Sequence, residues 1–165
     1  MATTQSYTPV TTPYFSQLLI DSGVPENTAD FCWVYSSTLK TPYLEYEKNL
    51  RWQKFRAHRT ADGIDKMIPA WSMSKLISML PDAVDAKTVT YNEETDCEEF
   101  LLTRCELYLC KAHISYDCGD VSAFSVDGDF NKCVIKTVAW LAESGHIVFD
   151  SGETHAKESD EEEYM

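Results

Sequence analysis

Residues 121–145 read VSAFSVDGDFNKCVIKTVAWLAESG, and this stretch decides the fold. Val121 to Val126 alternates with the two-residue period of a strand, Asp127-Gly128 closes it as a turn, and Asp129 stands where a carboxylate caps a helix. Phe130, Val134, Val138 and Leu141 then recur at helical spacing opposite Lys132, Lys136 and Glu143. Gly145 occupies the position at which helices end in the left-handed conformation. A strand feeding an amphipathic helix through a tight turn predicts a sheet with that helix laid on it.

Upstream, Phe100 to Ser115 holds Leu101, Leu107, Tyr108, Leu109 and Ile114, the densest run of strand formers in the chain, and reads as one strand. It follows a weakly alternating segment, Lys87 to Tyr91, and an acidic turn, Glu93 to Glu99. Phe31 to Tyr35 reads as a further, buried strand. One short helix runs through Phe15, Leu18, Leu19 and Ser22 and is stopped by Gly23 and Pro25. Another, capped by Ser72 or Ser74 after extended Ile68 to Trp71, carries Leu76, Ile77, Met79 and Leu80 as far as Pro81. His146 to Phe149 adds a last strand. The expectation is therefore a single α+β domain, a small antiparallel sheet packed against a C-terminal amphipathic helix plus two short helices. Its length of 165 residues and 44% hydrophobic content suit one packed core. Residues 1–13 read as a flexible Thr/Ser/Pro leader, 14–149 as the domain and 150–165 as an acidic tail of charge -6.

Charge is the unusual feature. The 27 acids against 14 Lys and Arg give -13, which argues against duplex nucleic acid or an anionic membrane as partner of the whole surface. No basic residue precedes Lys40, Ala2 stands where myristoylation requires glycine, and no apolar run approaches the ~20 residues that span a bilayer. These features predict a soluble protein of the cytoplasm, in which the six cysteines are reduced and mostly buried.

Residues 18–30 (LLIDSGVPENTAD), 68–81 (IPAWSMSKLISMLP) and 138–145 (VAWLAESG) occur in the order found in a recognisable group. The chain resembles small uncharacterised proteins carried by phages, prophages and mobile elements of gut bacteria, and Ile68-Pro69-Ala70-Trp71-Ser72 is the most specific part of the likeness. The resemblance implies a genomic context, with a bacterial host, and no chemistry. Residues 40–59, the acidic tail and the Thr-rich leader stand outside it.

Several constellations have a chemical and a structural reading. Ser72 to Lys75 matches the S-x-x-K of penicillin-recognising enzymes, but their S-D-N and K-T-G partners are missing and an N-cap explains Ser72. Cys105, Cys110, His113 and Cys118 are the weak candidates for a metal site. Their separations of five, three and five residues along a strand put neighbours on opposite faces. Asp127 to Asn131 begins like a calcium loop, yet Lys132 replaces its glycine and Val138 its bidentate acid, so a turn and cap account for it. The four histidines are scattered, no nucleophile elbow or phosphate loop is present, and neither a catalytic set nor a cofactor is predicted.

Residues 40–59 carry a local charge of +4 in an otherwise acidic chain, and fit neither the helical nor the strand period. Tyr46, Arg51, Trp52, Lys54, Phe55, Arg56 and Arg59 could stack on bases and follow a single-stranded nucleic-acid backbone, or pack on the core and pair with the chain's own acids. The favoured expectation is a non-enzymatic phage or mobile-element accessory protein that binds a basic protein partner through its acidic surface. Single-stranded nucleic-acid binding by residues 40–59 is the alternative, and a small enzyme the second.

Overall fold

The computed structural model describes residues 10–36, 41–46 and 64–149. They form, in chain order, α1 (Pro13–Asp21), β1 (Phe31–Ser36), β2 (Tyr43–Tyr46), β3 (Ile64–Ala70), α2 (Met73–Ser78), β4 (Ala83–Asn92), β5 (Cys97–Cys110), β6 (His113–Cys118), β7 (Val121–Asp127) and α3 (Phe130–Glu143). The α+β class holds, with two antiparallel sheets in place of the one expected: a three-stranded sheet ordered β2-β1-β3 and a four-stranded meander ordered β4-β5-β6-β7. The helices lie between them. α1 packs on β3 and on α3, and α3 lies across β6 and β7.

The ends of α3 follow from local chemistry. The Asp129 carboxylate accepts the Lys132 backbone N–H at 3.2 Å, and Gly145 adopts φ +71 just beyond the last turn. The buried face is wider than the Phe130–Val134–Val138–Leu141 stripe, because Cys133, Ile135, Thr137 and Ala139 are buried as well. Thr137 tolerates this because its hydroxyl donates to the Cys133 carbonyl at 2.7 Å. The main core gathers Leu19 of α1, Trp71, Leu76 of α2, Ile114 of β6, and Val134 and Val138 of α3. A second cluster, Val84, Cys105, Tyr116 and Leu141, fills the space between the end of α3 and the inner face of the meander. Trp140 there is only partly buried and stacks on Phe124 at 4.6 Å between ring centroids.

Four expectations need correction. Residues 10–13 belong to the fold and not to a leader: Val10 bridges Ser72, the Thr11 N–H donates to the Trp71 carbonyl at 2.9 Å, and Thr12 caps α1 with Pro13 as its first residue. The single strand expected over 100–115 is a hairpin, β5 and β6, turning at Lys111-Ala112 without glycine or proline. His146 to Phe149 forms no strand. It is held as an irregular segment by the His146 and Ile147 N–H groups donating to the Leu141 carbonyl, while Ile147 and Phe149 pack inward. The cysteines are not mostly buried: Cys32, Cys105 and Cys133 are buried, while Cys97, Cys110 and Cys118 are exposed. The acidic segment 150–165 lies outside the described residues.

Burial, reinforced by the nearby Asp82 carboxylate, pushes the Tyr116 phenol well above its ordinary value. Its hydroxyl donates to the Pro81 carbonyl at 2.8 Å. Because the folded state binds this proton more tightly than the unfolded chain does, the contribution to stability is complete below pH ~10. It is lost as the pH climbs above that toward the folded value. Tyr116→Phe should cost about 1 to 2 kcal/mol at neutral pH through the lost hydrogen bond, and should flatten the fall in melting temperature above pH ~10. Thermal melts from neutral to strongly alkaline pH check both effects.

Candidate interaction site

The β4–β5 hairpin is the longest element and the least covered. Its register runs from Ala83 opposite Glu106 to Asn92 opposite Cys97, so side chains divide into two faces. At the base, Val84 and Cys105 point inward and are buried beside Leu141. Beyond Ala86 and Thr103 no described residue covers the inner face, and residues 87 to 102 are exposed on both sides save for half-buried Asn92. The arm therefore projects from the body.

Carboxylates crowd its end. Glu93, Glu94, Asp96, Glu98 and Glu99 are all exposed, and no Lys or Arg lies between Lys87 and Arg104 to offset them. The tip is built and not loose: Asn92 accepts the Glu94 backbone N–H at 2.9 Å and donates to Glu99 at 2.7 Å, while the Tyr91 hydroxyl donates to Asp96. Asp96 takes φ +54, a left-handed conformation that Asp tolerates better than most residues. Five carboxylates on this arm, with no Lys or Arg between Lys87 and Arg104 of the same hairpin, present a negative field, the arrangement that attracts and orients a cationic surface.

The outer face of the same arm is apolar in its middle third. Val89, Tyr91, Phe100 and Leu102 alternate onto it from the two strands, and Lys87 extends its ammonium over the Phe100 ring, 3.9 Å from the centroid. The alternation of Lys87 to Tyr91 and the acidity of 93–99 were both visible in the sequence. Their projection away from the body was not, because strand formers such as Phe100 and Leu102 are ordinarily core residues.

The residues singled out for chemistry are dispersed. Cys105 is buried on the inner face, Cys110 lies exposed beside its register partner His113, and Cys118 sits at the opposite end of β6. No group of three or more His, Cys, Asp or Glu able to hold a metal occurs among the described residues. His113 pairs its Nδ1 with Asp127 across β6 and β7 at 2.6 Å. The hydroxyls of Ser115 and Ser122 hold the Asp117 carboxyl below its usual range.

Ser72 is the N-cap of α2: its Oγ accepts the Lys75 backbone N–H at 3.1 Å and donates to Asp30 at 2.5 Å, which leaves the hydroxyl committed to structure. Asp127-Gly128-Asp129 is the turn and cap expected, with Gly128 at φ +133. Of the basic aromatic residues only Tyr46 is described. It stands half-exposed at the end of β2 with its ring edge on Phe31, 5.1 Å between centroids; Arg51, Trp52, Lys54, Phe55, Arg56 and Arg59 lie outside the described residues.

No helix among the described residues is long and apolar enough to cross a membrane. No protein-family model, curated protein or solved structure matches the chain.

Proposed function

We propose that this is a non-enzymatic accessory protein of a phage or mobile element, acting in the cytoplasm of a bacterial host, and that its acidic surface binds a basic protein partner. The observation that carries this reading is the projecting hairpin, whose five exposed carboxylates stand beyond the core in a stretch with no Lys or Arg between Lys87 and Arg104. A chain of net charge -13 steers cationic partners from a distance, and a fixed acidic arm gives that field a docking point. The phage and mobile-element context rests on the sequence resemblance over residues 18–30, 68–81 and 138–145.

The test is affinity capture from a bacterial lysate with the full chain as bait. A stoichiometric partner with a basic surface, released between about 0.1 and 0.5 M salt as screening shortens the reach of the charges, is the expected result. No such partner, or one indifferent to salt, contradicts the reading. Fluorescence anisotropy with labelled single strands at physiological ionic strength should show no low-micromolar binding, since the net charge repels a polyanion. Tight binding that depends on Trp52 would put the nucleic-acid alternative first.

A further inference from the structure

We propose that the outer face of the β4–β5 hairpin is a two-fold interface, on which the hairpin of a second copy of this chain packs face to face and antiparallel. This goes beyond the acidic-partner reading and does not depend on it.

The register sets four levels on this face, from base to tip: Asp85 with Arg104, Lys87 with Leu102, Val89 with Phe100, and Tyr91 with Glu98. The apolar side chains are exposed to an extent rare for their type, 52% for Val89, 59% for Tyr91, 59% for Phe100 and 65% for Leu102. Together they offer roughly 400 Å² of contiguous apolar surface, within the size range of the largest patch on a typical monomer, which is often functional. With the charged side chains around it the face remains smaller than the ~800 Å² per partner of a standard interface, a size that suits a weak, concentration-dependent dimer.

The occupant follows from how charge is laid along the arm. Lys87 and Arg104 lie on the base side of the apolar patch, and Glu98 and Asp96 on the tip side. A two-fold axis between Val89 and Phe100 reverses one hairpin over the other. It then places Phe100 and Val89 of both copies at the centre and sets Lys87 of each copy at the level of its mate's Tyr91 and Glu98, over the Tyr91 ring and one strand from the Glu98 carboxylate. Arg104 of each faces the other's tip near Asp96. Asp85, level with Arg104, and Glu106 beyond it are the like-charged groups that this packing leaves at the rim.

A foreign protein would need the same polarity in reverse, and the chain's own face turned through 180° already has it. The cost of ordering the arm is low. Lys87 is held over Phe100, Tyr91 is held to Asp96, and the turn is braced by Asn92.

Sedimentation or light scattering of the full chain under reductant, which prevents the exposed cysteines from linking copies, tests the interface. The expected mass is twice 18.8 kDa at about 100 µM, dissociating on dilution. Leu102→Glu should weaken association at least ~10-fold, whereas Leu101→Glu, equally exposed but on the opposite face, should leave it within about threefold of the parent. Lys87→Glu should weaken it similarly, and the swap Lys87→Glu with Glu98→Lys should restore it. A monomer at ~100 µM overturns the proposal, as does a dimer that Leu101→Glu dissociates as fully as Leu102→Glu. A swap that fails to restore association overturns the antiparallel register. Thermal melts confirm that each variant remains folded.

Discussion

Leu141→Asp is expected to abolish the folded state. Leu141 lies in the last turn of α3 with its side chain fully buried among Val84, Cys105 and Tyr116, where the helix closes over the inner face of the meander. Truncating such a side chain costs ~2 to 5 kcal/mol, and a carboxylate without a partner in its place costs several more. A domain of this size has only ~5 to 15 kcal/mol in hand. Circular dichroism at 25 °C should show the loss of cooperative thermal unfolding. Leu141→Met, which nearly conserves volume, should cost less than about 1.5 kcal/mol. An aspartate variant that melts like the parent would show that this face of α3 is not in the core.

Trp71→Ala should be the most damaging truncation in the described structure, at about 3 to 5 kcal/mol, or a fall in melting temperature on the order of 10 to 20 °C. The indole is fully buried in the main core, and its Nε1–H donates to the Thr28 hydroxyl at 2.9 Å. The same residue ties the chain's beginning to its middle: its backbone N–H donates to the Thr11 hydroxyl at 3.0 Å and its carbonyl accepts the Thr11 N–H at 2.9 Å. Trp71→Phe keeps most of the apolar burial and removes only the indole donor, so it should cost ~1 to 2 kcal/mol. Val89→Ala, on the exposed arm, should change stability by no more than about 0.5 kcal/mol. Comparable losses at Trp71 and Val89 would contradict a core that ends at the base of the hairpin.

What the sequence revealed depends on how local the cause was. The limits of α3 were legible because Asp129 and Gly145 act on groups within a turn of themselves, and Ser72 was legible as a cap for the same reason. The turn at Lys111-Ala112 was not, since neither residue carries the backbone signature of a reversal, and only the pairing of Cys110 with His113 reveals it. Thr11 reads as a loose polar residue until Trp71, 60 positions away, supplies its partners. The segment His146 to Phe149 has strand composition but no strand to pair with, and its apolar residues are used in packing alone. For the candidate site, the acids of 93–99 were plain in the sequence. That they stand on an arm beyond the core was not, because projection depends on where α3 ends over the sheet, a long-range property that no window of sequence contains.

Function on the arm and stability in the body are separable, and one variant tests that most directly. Replacing Glu93, Glu94 and Glu99 by Gln, with Asp96 and Glu98 of the two-fold interface left in place, removes three carboxylates while keeping the turn's hydrogen-bonding shapes. The measurement is retention of the captured basic partner by this variant and by the parent at the same low salt. The variant should melt within a few degrees of the parent and show at least ~10-fold weaker retention. Unchanged retention by a fully folded variant would contradict it.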